Sequence, residues 1–192
     1  TQHSVKTLLS QGIQPDILVA RTEYPLTNDQ KKKIALFCNL PSDSVIESLD
    51  AETIYDVPIL MEEERLDKVV LEKLELDERS KPDLSIWKNF LTRFKNPSST
   101  IRIGLVGKYI ELQDAYKSIL EALVHAGVAN EAAIDVTPIQ SDDINDKNVH
   151  NLLKSMQGVI VAPGFGKRGI EGKISAIKYV RENNIPFLGI CL

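Results

Sequence analysis

The chain has 192 residues, of which 43% are hydrophobic, and its formal net charge is −4 at pH 7. These values are typical of a globular protein of one large or two modest domains, and they give no reason to expect nucleic-acid binding. No apolar run approaches the ~18 residues that a membrane span requires. The two cysteines, Cys38 and Cys191, indicate a reducing compartment, and no pattern of zinc ligands accompanies them.

The first part of the chain predicts three helical segments and two short strands. Ser4 and Thr27 are the residues expected to cap the first two helices, because their hydroxyls can accept a backbone N–H. Ile34 and Phe37 are expected to face a core from the second helix. Apolar spacing predicts helices at residues 4–11, 28–37 and 61–74 and strands at 16–20 and 45–46.

Between residues 75 and 99 the hydrophobic density falls and chain breakers such as Pro82 and Pro97 accumulate. One short amphipathic helix interrupts this stretch, and its Trp87 is expected to be a packing anchor. We therefore place the domain boundary here. The sequence predicts a first domain at 1–76, a linker with one helix at 77–99 and a second domain at 100–192.

From residue 100 strands and helices alternate. Such βαβ repetition predicts an α/β fold with a parallel sheet and right-handed crossovers. Strands are expected at 101–106, 134–139, 159–161 and 187–190, and helices at 114–125, 149–153 and 170–182. Tyr116, Ile119, Leu120 and Leu123 fall on one face of the first of these helices and are expected in the core.

Two strand ends carry candidate chemistry. The last strand is expected to be buried, and it runs into Cys191, whose thiol would be a nucleophile if the strand turned sharply into a helix. An isolated cysteine in an apolar run is more often a buried core residue, so both interpretations stay open at this point. Gly164 and Gly166 follow the neighbouring strand, where they allow positive φ and let backbone N–H groups face an oxyanion.

Blocks spread over nearly the whole chain together resemble the CTP synthase family, whose C-terminal domain is a class I glutamine amidotransferase. The blocks are Thr1-Gln2-His3-Ser4-Val5-Lys6, Lys33-Ile34-Ala35-Leu36-Phe37-Cys38, Gly107-Lys108-Tyr109, Asp114-Ala115-Tyr116-Lys117-Ser118, Gly164-Phe165-Gly166, Arg168-Gly169, Glu171-Gly172 and Gly189-Ile190-Cys191. The resemblance implies the end of a P-loop-type amidoligase domain, followed by the first half of a class I glutamine amidotransferase parallel-sheet domain.

The resemblance also implies an activity, namely the ATP-dependent amination of UTP to CTP with ammonia released from glutamine. It implies Mg²⁺ and ATP as cofactors, GTP as allosteric activator, CTP as inhibitor, and a cytoplasmic homotetramer without nucleic-acid or membrane partners. In the family the P-loop and the Mg²⁺ ligands precede the position of Thr1, and the catalytic His and Glu follow that of Leu192. We therefore expect no metal ligand and no catalytic histidine in these residues, which alone are expected to be inactive.

In the glutaminase half, the resemblance assigns roles to three positions. Cys191 would attack the glutamine amide as a thiolate and form a glutamyl thioester. The N–H groups of Gly164 and Leu192 would form the oxyanion hole. Pro163 stands where the family more often has glycine, and since proline has no N–H, the donor has to be Gly164.

The resemblance further implies three nucleotide sites. A run of lysines such as 31–33 is usually a solvated surface, but the family places a pyrimidine-nucleotide ligand at the last of them. The expected ligands of UTP and CTP are Thr1, Gln2 and Lys33. The residues expected beside the ATP adenine are Leu49, Asp50 and Ala51. The residues expected at the GTP effector site are Lys108, Tyr109, Phe165 and Arg168.

Two alternatives remain at this point. The chain could belong to a different class I amidotransferase, such as a GMP synthase or an anthranilate synthase glutaminase, although the blocks at 1–6 and 33–38 argue against this. It could also be a non-enzymatic α/β protein in which Cys191 is a core residue.

Overall fold

The structure is a computed structural model, which describes residues 1–77, 82–112 and 114–191. The chain divides into two compact units, Thr1–Leu91 and Thr92–Leu192. The helices are α1 (Gln2–Ser10), α2 (Asn28–Cys38), α3 (Val57–Glu63), α4 (Leu66–Lys73), α5 (Ser85–Lys95), α6 (Lys117–Ala129), α7 (Val149–Leu153) and α8 (Ile170–Glu182). The strands are β1 (Leu18–Thr22), β2 (Val45–Leu49), β3 (Ser99–Gly107), β4 (Ala132–Gln140), β5 (Gly158–Val161) and β6 (Phe187–Gly189).

In the first unit, β1 and β2 form a parallel pair, and α2 connects them. Thr27 caps α2 as predicted, because its hydroxyl accepts the Gln30 N–H while the Gln30 side chain accepts the Thr27 N–H. The helix ends at Asn39, which adopts a left-handed conformation with φ 54°. Polar residues at both ends therefore set the length of α2.

The inward face of α2 differs from the prediction. Ala35 and Cys38 are buried, Ile34 is partly buried, and Phe37 is 50% exposed. Successive helical residues are about 100° apart, so a helix that turns residues 35 and 38 inward carries Phe37 away from the interior. The expectation that Phe37 faces the core is wrong.

Two other helix boundaries in this unit also differ. The first helix begins at Gln2 after Thr1, so Ser4 lies inside the helix and is not its cap. The helical segment predicted at 61–74 is two helices, α3 and α4. Arg65 separates them with a left-handed backbone at φ 60°, which breaks the hydrogen-bond ladder.

Trp87 anchors α5 to the rest of the first unit, as predicted. Its indole N–H donates to the Tyr55 carbonyl at 2.8 Å, and its ring stacks on Phe90 with centroids 5.2 Å apart. The Phe90 ring also contacts Tyr55, at a centroid distance of 5.1 Å. The indole N–H is thus hydrogen-bonded, while the face of the ring packs against Phe90. Residues 78–81 of the predicted linker lie outside the described residues.

The second unit is a four-stranded parallel sheet, as the alternation of strands and helices predicts, and the order of its strands is β4-β3-β5-β6. On one face, residues of α7 and α8 such as Leu153 and Val180 pack on Val106 of β3. On the other face, Tyr116 and residues of α6 pack on Leu105. Helices on both faces are what a parallel sheet requires, since its strands are apolar on both sides.

Strand β6 is more exposed than predicted. Phe187 is 43% and Leu188 56% exposed. Within the described residues β6 pairs only with β5, so it is an edge strand whose outer side is uncovered. Among the described residues this strand is therefore exposed, which differs from the expectation that it is buried.

Helix α8 contacts the chain beside β4 at a position where only glycine fits. A Cβ atom added to Gly172 would lie 1.8 Å from the Ser141 carbonyl oxygen. The close approach lets buried residues of α8 such as Ala176 reach the sheet. The absence of a side chain at Gly172 therefore sets the distance between α8 and residues 141–144.

We predict that Gly172→Ala destabilises the second unit by about 1 to 3 kcal/mol or more, because backbone atoms must move to admit the methyl group. The measurement is thermal or urea unfolding of the full-length protein. Lys178→Ala, at an exposed position of the same helix, is the control and should change the stability little. Equal stabilities of the two variants would contradict the packing described.

Candidate functional site

Cys191 stands at the end of β6 in a strained turn. Its φ is 65°, in the left-handed region, and its thiol is exposed. Non-glycine residues rarely adopt this conformation, and a sharp turn of this kind after a strand is how α/β folds present a nucleophile. Among the described residues Cys191 is exposed, which argues against the alternative in which it is a core residue, whereas Cys38 is buried.

A cleft of about 380 Å³ opens beside this thiol. Its wall opposite the end of β6 consists of Gly164, Phe165 and Gly166, and α8 contributes apolar side chains such as Ile174. The volume lies in the range of small-molecule sites, roughly 300 to 1,000 Å³. The cleft therefore has room for a small substrate in contact with the thiol.

The loop after β5 presents free N–H groups beside the cleft. Gly166 has φ 86°, a conformation that favours glycine. Within the described part of the chain, the N–H groups of Gly164 and Phe165 donate no hydrogen bond to protein. The predicted donor Gly164 is thus available for an oxyanion. The second predicted donor, Leu192, lies outside the described residues.

Two buried ammonium groups bind the carbonyl groups of the same loop. Lys108 is 2% exposed, and its Nζ donates to the carbonyls of Phe165 and, at 2.9 Å, of Gly166. Lys173 is 7% exposed, and its Nζ donates to the Ala162 carbonyl at 2.8 Å. Sequence reasoning missed Lys173, although its spacing of three from the buried Ala176 of α8 indicates the inward face.

Lys173 is also electrostatically linked to the nucleophile. Burial lowers the pKa of Lys173, the charge of Lys108 lowers this pKa further, and Cys191 acts in the opposite direction by raising it.

The residues predicted for the effector site lie close together. The Arg168 guanidinium is 5.4 Å from the centre of the Tyr109 ring, and it donates to the Lys108 carbonyl at 2.7 Å. Phe165 is 82% exposed. Arg168 also lies 3.5 Å from an Asp142 carboxylate oxygen. The Tyr109 ring and the Arg168 guanidinium thus lie beside each other at the surface, whereas the Lys108 side chain is buried beneath the loop.

In the first unit the three lysines of α2 have different surroundings. Lys31 is partly buried and pairs with Glu64 at 2.9 Å and Glu47 at 3.7 Å. Burial alone would raise the pKa of Glu64, but hydrogen bonds from Lys31 and from the Glu47 N–H outweigh it and lower this pKa. Lys32 and Lys33 are exposed, and within the described residues Lys33 has no ion-pair partner.

The other residues predicted for nucleotide sites also belong to the first unit. Gln2 is the first residue of α1 and Thr1 directly precedes it. Helix α1 packs against α2, the helix that carries Lys33. Leu49 ends β2, and the next residue, Asp50, pairs with Arg21 at 2.9 Å. Ala51 is partly buried.

Neither a cluster of metal ligands nor a membrane-spanning helix is found in residues 1–77, 82–112 and 114–191. These residues contain no group of three or more His, Cys, Asp or Glu side chains that could hold a metal ion. Among the same residues, no helix combines the length and the apolar character that crossing a membrane requires.

Both halves of the chain match known protein families. Residues 1–76 match the family described as "CTP synthase N-terminus", and residues 111–192 match "Glutamine amidotransferase class-I". A solved structure titled "Trypanosoma brucei CTPS - glutaminase domain with bound acivicin" is 35% identical with a TM-score of 0.43, and the match covers 46% of this chain and 35% of that chain. The family match at 111–192 assigns these residues to a class I glutamine amidotransferase domain, of which they form a part.

Curated relatives match the chain from its first to its last residue. The CTP synthase of Flavobacterium johnsoniae is 60% identical and that of Methanocaldococcus jannaschii is 50% identical, each over 100% of this chain and 36% of the relative. The chain belongs to the CTP synthase family, and it spans 36% of the length of these relatives. The match at 1–76 argues against the alternative of another class I amidotransferase.

Proposed function

We propose that this chain acts within an enzyme that aminates UTP to CTP, using ATP and ammonia released from glutamine. The observation that carries the proposal is the exposed Cys191, held in a left-handed turn beside a cleft that the Gly164 loop lines. The family supports the reaction, because relatives that are 60% and 58% identical to this chain are named CTP synthases.

In the proposed glutaminase reaction the Cys191 thiolate attacks the amide carbon of glutamine. A C–S bond forms and the carbonyl oxygen becomes an oxyanion, which the Gly164 N–H stabilises. The C–N bond then breaks, ammonia leaves after its nitrogen gains a proton, and water later hydrolyses the glutamyl thioester to glutamate. In the family, a histidine that follows the position of Leu192 transfers these protons.

We predict that Cys191→Ala in the full-length protein abolishes CTP formation from glutamine and leaves CTP formation from ammonia intact. The thiol is exposed, so its removal leaves no cavity and should cost little stability. The measurement is the rate with each nitrogen donor, together with the melting temperature. Normal use of glutamine would rule out the nucleophile. Loss of both activities with a lower melting temperature would favour a structural role.

The first unit is proposed to bind the pyrimidine nucleotide through Thr1, Gln2 and Lys33. Lys33 supports this proposal because its ammonium is exposed and has no partner in the described part of the chain, so it is available for a triphosphate. Leu49, Asp50 and Ala51 are proposed to lie beside the ATP adenine. The described residues offer no ligand cluster for Mg²⁺, so no step is assigned to this ion in the chain.

We predict that Lys33→Ala raises the KM for UTP and weakens inhibition by CTP, because one cation contacting phosphate is lost. Glutamine hydrolysis at saturating effector should change little. Lys32→Ala removes a neighbouring exposed lysine and is the matched control. If the two variants have the same affinities for UTP and CTP, Lys33 is not a nucleotide ligand.

The exposed ring of Phe165 and the Arg168 guanidinium are proposed to bind the GTP effector, together with Tyr109. The fourth expected residue, Lys108, is proposed to contribute through its backbone carbonyl, which accepts from Arg168, because its ammonium is buried beneath the loop. An aromatic ring can stack on a base, and a guanidinium binds phosphate well. Phe165 lines the cleft and Arg168 donates to the carbonyl of Lys108, whose ammonium binds the same loop, which supports an effect of GTP on glutamine hydrolysis. We also propose that CTP inhibits the enzyme, that the enzyme is a homotetramer and that it is located in the cytoplasm.

We predict that Phe165→Ala and Arg168→Ala each reduce the activation of glutamine-dependent CTP formation by GTP. CTP formation from ammonia should continue, since it does not need the glutaminase. The measurement is the rate as a function of GTP concentration with each nitrogen donor. A normal GTP response in both variants would place the effector elsewhere.

A further inference from the structure

The Lys108 ammonium is one of the most deeply buried charges of the second unit. The residue is 2% exposed, and its Nζ donates to the carbonyls of Phe165 and Gly166. A buried charge is costly unless hydrogen bonds satisfy it, so these two carbonyls stabilise the ammonium and are in turn held by it. The side chain thereby ties the loop after β3 to the loop after β5.

The backbone of Lys108 is itself fixed from three sides. Its N–H donates to the Tyr116 hydroxyl at 3.0 Å. Its carbonyl accepts from Gln140 Nε2 at 2.9 Å and from Arg168 Nη2 at 2.7 Å. These hydrogen bonds hold the backbone of Lys108 in place, so the position of its ammonium is well defined.

The other end of the 162–166 loop is held as well. The Ala162 N–H donates to the Val106 carbonyl at 2.8 Å, and its carbonyl accepts from Lys173 Nζ at 2.8 Å. Gly164 lies between the two anchored ends and directly on the Lys108 stem, since an added Cβ would lie 3.2 Å from both Cδ and Cε. The carbonyls on both sides of Gly164 are thus fixed by cations.

We propose that Lys108 is a positioning residue of the glutaminase site, whose ammonium holds the 162–166 loop so that the Gly164 N–H points at the oxyanion. This inference rests on the function proposed above. Donors that are already oriented stabilise developing charge without reorganisation, which is why their placement affects the rate. In this role Lys108 acts through the carbonyls of the loop that its ammonium binds, not by contact with the reacting groups.

This role differs from that of an effector ligand. An ammonium that is buried and bound to two carbonyls has to leave them before it can contact a triphosphate. A positioning residue affects glutamine hydrolysis without GTP, whereas an effector ligand affects only the response to GTP. The two roles are therefore separable by experiment.

The test compares Lys108→Met with Lys167→Met in the full-length protein. Lys167 is an exposed lysine of the neighbouring loop segment. The same substitution is thus made at a buried lysine that binds the loop and at an exposed one. We expect Lys108→Met to lower kcat for GTP-free glutamine hydrolysis about 10- to 100-fold, somewhat less than loss of an oxyanion donor, with little change in KM. Lys167→Met should match the wild type.

The rate at which iodoacetamide alkylates Cys191 is a second measurement. It shows whether the variant is folded and its thiol reactive, independently of the oxyanion hole. The thiolate displaces iodide in this reaction and no oxyanion forms, so the rate should stay near that of the wild type in Lys108→Met. Ammonia-dependent CTP formation should also be kept. A wild-type kcat without GTP would overturn the proposal, as would a loss confined to GTP activation.

If Lys108→Met fails to fold, Lys108→Gln is measured, because it keeps a polar donor but loses the charge and some length. Reduced kcat with normal alkylation supports positioning, and wild-type kcat overturns it. Cys191→Ala separates this proposal from the reaction itself. If that variant still uses glutamine, the proposed function fails. If it does not, and Lys108→Met is normal, only the positioning role fails.

Discussion

The parallel order of β3, β5 and β6 is the constraint on which the candidate site depends. Because parallel strands end at the same edge of a sheet, three separate loops meet there. They carry Lys108, the Gly164 loop and Cys191, which are far apart in the chain. No local signal could bring these residues together, since only the order of the strands in the sheet does so.

The loop beside the nucleophile shows how backbone groups are divided between structure and chemistry. Its carbonyls are bound by the buried ammonium groups of Lys108 and Lys173. Its N–H groups at Gly164 and Phe165 have no protein acceptor in the described part of the chain. The hydrogen bonds to its carbonyls stabilise such a loop, while its unbonded N–H groups are available to bind an oxyanion.

Helix α8 links this loop to the core. Gly172 allows the helix to lie against the Ser141 carbonyl, and the next residue, Lys173, binds the Ala162 carbonyl. Packing of the helix and placement of the ammonium are thus consequences of the same close approach. The same packing affects the titration of Lys173, because burial and the charge of Lys108 lower its pKa, whereas Cys191 raises it.

The sequence by itself determined the α/β alternation, the cap at Thr27, the core face of α6 and the candidate thiol, because these depend on local periodicity and on residue types. Tertiary structure decided what periodicity cannot specify. It exposed Phe37 through the phase of α2, left β6 at a sheet edge and turned Cys191 into a left-handed conformation. It also buried Lys108 and Lys173, since the burial of a long cationic side chain depends on acceptors that distant loops supply.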